Sequence, residues 1–171
     1  GKIKIIEHVR KNNIPFLGIC LGFQLAVIEY ARNVCGLKKA NSTEFTKNVE
    51  HPVIDLLPEQ KDVKEKGGTM RLGGQDVMIK KGSKAHELFG AESVRRRFRH
   101  RYEVNEDYID VIEKNGLVFS GTTPDAKIMQ VLELPKHKYF MGGQFHPELT
   151  SRLEYPSPMF YGLVEAALKK D

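Results

Sequence analysis

Ile14-Pro-Phe-Leu-Gly-Ile-Cys20-Leu-Gly-Phe-Gln24 reads as a strand that stops abruptly and becomes a helix at a cysteine. Residues 14–19 form a short, nearly continuous apolar run with Pro15 near its start, as a buried parallel strand does. From Leu21 the period becomes helical, with Leu21, Leu25 and Ile28 on one face and Gly36 placed as a stop. Cys20 sits at the junction between Gly18 and Gly22, and Gly-x-Cys-x-Gly is a pattern whose small residues permit a sharp strand-to-helix turn. A side chain at such a turn stands above the sheet with helix amides behind it. The positive end of the helix dipole favours thiolate over thiol and is expected to lower the cysteine pKa. The amide of Leu21 would face a developing oxyanion. The pentapeptide alone suits equally a buried cysteine that fills a strand–helix joint.

A second motif lies far along the chain, at Gly142-Gly-Gln-Phe-His146-Pro-Glu148. Residues 139–145 read as another strand, which delivers His146 and Glu148 just past its end. If the two strands run parallel, Cys20 and His146 emerge at the same edge of the sheet, where open α/β folds place their sites. His146 then serves as base toward the thiol and as acid toward the leaving group, and Glu148 holds the imidazole tautomer. His-Pro-Glu by itself is commonplace at a strand end. Joined to the cysteine turn, it makes a Cys-His-Glu triad.

Length and composition narrow the class. At 171 residues the chain is expected to be one domain with a single sizeable core, and its 40% hydrophobic and 29% charged residues are those of a globular protein. No apolar run approaches membrane-spanning length, and Gly1 does not begin a signal peptide. Cys20 and Cys35 are the only cysteines and lack framework spacing, which points to a reducing, cytoplasmic setting, with Cys35 in a packing role. No Cys/His group has zinc-ligand spacing, so no metal is expected. The net charge of +5 is unevenly spread, since Arg95-Arg-Arg-Phe-Arg-His-Arg101 holds five arginines. That density raises nucleic-acid or phosphate recognition.

Along the rest of the chain, residues 2–12 read as a helix with Ile3, Ile6 and Val9 inward. Residues 40–50 read as an irregular polar loop, in which Glu44 stands beside small polar side chains and could meet a substrate ammonium. Residues 53–57 are a brief apolar run, residues 59–66 a charged excursion, and residues 67–74 a glycine-rich segment without the spacing of a P-loop or a dinucleotide fingerprint. Residues 76–80 alternate as a strand does, and Ser83 caps a helix reaching Phe89. Residues 93–104 alternate too, with Arg95, Arg97, Arg99 and Arg101 on one side and Arg96, Phe98, His100 and Tyr102 on the other. Four like charges on one strand face should meet water or an anion. A helix over 107–115, a hairpin of strands 117–121 and 128–134, and a terminal helix over 159–169 complete the expectation.

Gly18-Ile-Cys20-Leu-Gly and Gln144-Phe-His146-Pro-Glu148 resemble the class I, triad-type glutamine amidotransferases. Ala40-Asn-Ser-Thr-Glu44-Phe, Gly68-Thr-Met-Arg-Leu-Gly73 and Arg99-His-Arg-Tyr-Glu-Val-Asn105 are similar, more narrowly, to the glutaminase domains of CTP synthases. The resemblance implies an α/β, flavodoxin-like fold: a three-layer, open, mostly parallel sheet with helices on both faces. It implies hydrolysis of L-glutamine through a thioester on Cys20, with ammonia supplied to a synthase domain that converts UTP to CTP. Leu21 and Gln24 would contact substrate or intermediate, Leu21 as oxyanion donor, while Glu44 and Arg101 would hold the ammonium and carboxylate of glutamine. Arg71 falls in the lid region associated with GTP, an allosteric effector. ATP, UTP and Mg2+ would belong to the synthase domain, leaving no cofactor here, and the whole enzyme would be a cytoplasmic homo-oligomer, a tetramer, of pyrimidine biosynthesis.

Two features depart from the pattern. The chain starts at a helix, so the first strand and the glycine-rich loop that gives a second oxyanion amide are expected to be missing; one lost donor lowers turnover about 100- to 1000-fold. Phe98 stands where histidine is expected, on the side of the strand away from Arg97 and Arg99, and should affect packing only. Other readings are another triad glutaminase, a γ-glutamyl hydrolase, or a non-enzymatic RNA- or phosphate-binding module using the arginine strand. Residues 41–45 and 99–105 argue against the first two. Thin aromatic interleaving, Phe98 and Tyr102 only, argues against the third, so no nucleic-acid partner is expected.

Overall fold

The computed structural model describes residues 1–56 and 71–169. The charged excursion and the start of the glycine-rich segment lie outside the described residues. Helix α1 (Lys2–Lys11) leads into strand β1 (Phe16–Ile19) and helix α2 (Leu21–Asn33). Strands β2 (Ala40–Ser42), β3 (His51–Asp55) and β4 (Arg71–Ile79) follow, then helix α3 (Lys84–Phe89), β5 (Ser93–His100) and β6 (Glu103–Val104). Helix α4 (Ile109–Lys114), β7 (Val118–Thr122), β8 (Met129–Glu133), β9 (Phe140–Gly143) and helix α5 (Pro158–Leu168) complete the chain.

Among the described residues six strands form the main sheet in the order β1-β9-β8-β7-β4-β5, and β2-β3-β6 form a small second one. The α/β class with helices on both faces holds. One buried cluster unites Ile6 of α1, Phe23 and Ile28 of α2 and Ile112 of α4 with Leu132 and Phe140 of the sheet. The other unites Ala85 of α3 and Met159 of α5 with Val77, Val131 and Met141. The alternation of side chains along each strand produces both clusters from one sheet.

The expectation of a mostly parallel sheet is corrected in detail, because the described sheet is mixed. β1 and β9 pair in parallel, whereas β9–β8, β8–β7, β7–β4 and β4–β5 pair antiparallel. Connection length explains the β7–β8 and β8–β9 pairs: residues 123–128 and 134–139 are too few for the crossover a parallel pair needs. The parallel pair is the one that positions the site, with Phe16 opposite Phe140 and Ile19 opposite Gly143.

Local chemistry fixes the elements around it. Helix α2 is buried on all sides from Phe23 to Ala31, and its one buried carboxylate, Glu29, is met by Arg10 of α1 through Nε at 2.8 Å and a terminal nitrogen at 2.7 Å. A charge so placed needs such a partner. Ser83 Oγ accepts from the His86 amide at 3.0 Å, the expected cap of α3. β5 alternates as expected, with Arg95, Arg97 and Arg99 exposed and Phe98 and His100 buried. Phe98 packs edge-on to Phe145, centroids 5.9 Å apart. β2 was not expected within the polar stretch. It forms because residues 40–42 find β3 as a parallel neighbour.

Candidate active site

The strand-to-helix turn is made by Cys20 itself. Its amide continues the parallel ladder by donating to Gly143 O at 2.8 Å, and its carbonyl already accepts from the Gln24 amide of α2 at 3.2 Å. Strand and helix are thus joined through one residue, which takes φ 49° and ψ −100°, a conformation that costs a non-glycine residue about 1–3 kcal/mol. Gly18 permits the turn: a Cβ there would lie 2.7 Å from the Gly22 backbone and 2.9 Å from the Phe23 amide nitrogen. Gly22 is different, with nothing within 4 Å of a Cβ.

β9 delivers the second half of the site at the same end of the sheet. The His146 amide donates to Arg97 O at 2.8 Å, tying the segment after β9 to β5. His146 Nδ1 lies 2.6 Å from Glu148 Oε1. His146 Nε2 is buried and has no hydrogen-bond partner among the described residues. Cys20 Sγ lies 4.0 Å from Arg99 O and 3.6 Å from Gln144 Nε2.

The Cys20 thiol is pushed up from its ordinary range, against the expectation of a lowered pKa. Burial is the main cause, and the Glu148 and Glu44 carboxylates add to it, while the Leu21 amide and the Gln144 side chain pull the other way. The helix end does act in the expected direction through Leu21, but desolvation of the half-buried sulfur outweighs it.

Cys20, Leu21, Gln24, Glu44 and Arg101 line one cavity of about 290 Å³. Five of the expected residues therefore converge, although they come from α2, the segment after β2 and the segment after β5. Glu44 is held by its amide, which donates to Ser42 Oγ at 3.1 Å. Arg101 Nε is buried with no partner among the described residues. An unpartnered guanidinium nitrogen suits a small carboxylate. Gln24 is buried and its Nε2 is engaged by Tyr102 O at 2.9 Å and Gln144 Oε1 at 3.1 Å. Glu148 acts on the cysteine through its charge, and neither His146 nor Glu148 lines the cavity.

Arg71 stands apart from the cavity lining. Its Nε donates to Glu103 Oε1 at 3.0 Å and a terminal nitrogen to Gln75 Oε1 at 2.7 Å. Glu103 Oε1 also lies 2.7 Å from His100 Nε2, so Arg71 and Glu103 form a network with His100 of the cavity wall. Sequence reasoning missed that network and the contacts of Gln144 with Gln24 and Cys20. The burial of His100 was signalled by its place on the Phe98 side of the strand; the contacts of Gln144 had no signal beyond its place in the histidine motif.

Over nearly its whole length the chain is similar to known proteins of one family. The family model described as glutamine amidotransferase class-I matches residues 1–166. The CTP synthase of Archaeoglobus fulgidus is 60% identical over 169 residues, covering 99% of this chain and 32% of its own length. That of Borreliella afzelii is 56% identical over 171 residues, covering 98% and 32%. The chain thus spans about a third of the length of these relatives. The glutaminase domain of Trypanosoma brucei CTPS, solved with bound acivicin, superposes with a TM-score of 0.91 at 38% identity, covering 99% of this chain and 66% of that one. Among the described residues no helix is long and apolar enough to cross a membrane. With its cysteine turn, its His-Pro-Glu segment and a family match over 1–166, the chain belongs to the class I glutamine amidotransferases.

Proposed function

We propose that this chain is the glutaminase part of a CTP synthase, hydrolysing L-glutamine to glutamate and ammonia. One observation carries the reading: a carboxylate, Glu44, and an arginine with a buried unpaired nitrogen, Arg101, share a single cavity with Cys20. A free amino acid presents an ammonium and a carboxylate together, and these two side chains complement both. Identity of 53–60% to CTP synthases over nearly the whole chain supports the narrower assignment.

In this reading the Cys20 sulfur attacks the carboxamide carbon of glutamine while His146 Nε2 takes the thiol proton. Negative charge moves to the carboxamide oxygen, where the Leu21 amide stabilises it. The C–N bond breaks, His146 returns the proton to the leaving nitrogen, and ammonia departs. Water, deprotonated by His146, attacks the thioester; the C–S bond breaks, the sulfur takes back a proton and glutamate leaves. Glu148 keeps the imidazole in the tautomer with a free Nε2. No cofactor is required in this domain. The ammonia would serve a synthase domain that aminates UTP with ATP and Mg2+, in a cytoplasmic homotetramer activated by GTP, with Arg71 in the effector-responsive region.

The test is the intact mass of the protein before and after incubation with a chloroketone analogue of glutamine. A stoichiometric adduct mapped to Cys20 and prevented by glutamine is expected. Labelling that glutamine does not protect, or that maps elsewhere, overturns the reading.

A further inference from the structure

Gln144 follows β9 with its side chain fully buried, and it connects two other elements. Its backbone amide is held by Gln130 O at 2.9 Å, and its Nε2 approaches Cys20 Sγ at 3.6 Å. Its Oε1 accepts from Gln24 Nε2 at 3.1 Å, and that nitrogen also donates to the backbone carbonyl of Tyr102 at 2.9 Å. A backbone carbonyl can only accept a hydrogen bond. Tyr102 therefore decides which end of the Gln24 amide faces it, namely the amino end. The amino group of Gln24 then requires the oxygen of Gln144, and the amino group of Gln144 is left for the sulfur. The main chain at Tyr102 thus sets the polarity of a two-amide relay that ends on the cysteine.

We infer that Gln144 is a thiolate-stabilising residue for Cys20, and that Gln24 is a positioning residue that keeps the Gln144 amide turned N–H toward the sulfur. The inference rests on the proposed role of Cys20 as nucleophile. The charged groups around the sulfur are Glu148 after β9 and Glu44 after β2, with Arg99, His100 and Arg101 on the cavity wall and His146 as the base. Burial opposes the anion most, and both carboxylates add to it. A neutral donor inside the protein offsets part of that opposition without adding a charge that would bind the substrate wrongly. The relay also gives Gln24 a second task besides any contact with glutamine.

The experiment follows the rate of Cys20 alkylation by iodoacetamide against pH in the full chain, read by mass spectrometry of the Cys20 peptide. Gln144→Met and Gln24→Met keep side-chain volume and remove the donor or the residue that orients it. The midpoint is expected to rise by about one pH unit in Gln144→Met and by less in Gln24→Met, with neutral-pH labelling of Gln144→Met about tenfold slower. A purely structural role would lower thermal stability and leave the midpoint where it is. An unmoved or lowered midpoint in Gln144→Met overturns the inference; if that variant does not fold, the same result in Gln24→Met overturns it. Failure of the parent reading is separate, because it is seen in the wild-type protein as a lack of glutamine-protected labelling by the chloroketone.

Discussion

His146 Nδ1 lies 2.6 Å from Glu148 Oε1, while the opposite ring nitrogen, Nε2, is buried without a partner among the described residues. An ionised carboxylate only accepts, so Nδ1 carries the proton and Nε2 is the basic nitrogen. Glu148→Gln should therefore move two observables in opposite directions. Glutamine turnover should fall about 100-fold or more, because an amide no longer fixes the tautomer. Iodoacetamide labelling of Cys20 at fixed pH should rise, because Glu148 is one of the charges that push the thiol up. Parallel kinetic and labelling assays check this; a fall in both would mean that Glu148 supports the thiolate and not the tautomer.

The two glycines of the turn should behave differently, although they look equivalent in the motif. Gly18→Ala places a Cβ against backbone atoms at 2.7–2.9 Å that cannot move without dismantling the start of α2. It should cost about 3 kcal/mol or more. Gly22→Ala meets open space at the start of a helix and should lie within about 0.5 kcal/mol of wild type, on the stabilising side. Urea unfolding of the two variants measures the contrast, and equal destabilisation would contradict the geometry of the turn.

This asymmetry also marks how far the sequence could be read. Gly-x-Cys-x-Gly revealed the turn because one residue type, glycine, is required at Gly18 by a backbone contact. The alternation from Arg95 to His100 revealed a strand and its faces because burial has the same period of two. What escaped depended on partners distant in the chain. β4 begins at Arg71, earlier than expected, because Gly73 and Gly74 carry no hydrophobic period while β5 pairs with them all the same. The short β2 exists only through β3. The direction of the Cys20 shift depends on burial and on Glu44 and Glu148, whose proximity no local motif expresses. The polar surroundings of Glu44 mark it as an ammonium partner and family resemblance marks Arg101 as a carboxylate partner, and their convergence on one cavity is a tertiary fact.

Arg101 should govern affinity more than chemistry. Arg101 has a buried Nε without a partner among the described residues and lines the same cavity as Cys20, the proposed nucleophile. A carboxylate held there is the same in ground and transition states, so its loss raises KM and leaves kcat nearly unchanged. Arg101→Met should raise KM for glutamine about 10- to 100-fold, the worth of one charge-assisted contact. Arg101→Lys should restore only part of it, because an ammonium lacks the planar fork. Steady-state kinetics decide, and a loss confined to kcat would remove Arg101 from the carboxylate site.

Acid stability should depend on His137. His137 is buried between α1 and β9, with Nε2 3.2 Å from Val9 O and Nδ1 3.2 Å from the Tyr139 amide nitrogen. Val9 O only accepts and the Tyr139 amide only donates, so both ring nitrogens are satisfied by one neutral tautomer. Protonating Nδ1 would turn an acceptor into a donor facing a donor. Burial lowers the His137 pKa first of all, and the Lys84 and Arg10 charges lower it further. With the folded-state pKa below the unfolded one, the unfolded chain binds the extra proton more readily, so stability is lost as pH falls from the range where a free imidazole titrates, near about 6.5. His137→Gln should cost about 1 kcal/mol above neutrality, through weaker bonds to Val9 and Tyr139, and should flatten the decline on acidification. Urea unfolding of both proteins on each side of that range tests it, since the other histidines are common to both and cancel in the difference. A variant whose stability declines with acid as steeply as wild type would show that His137 does not carry this dependence.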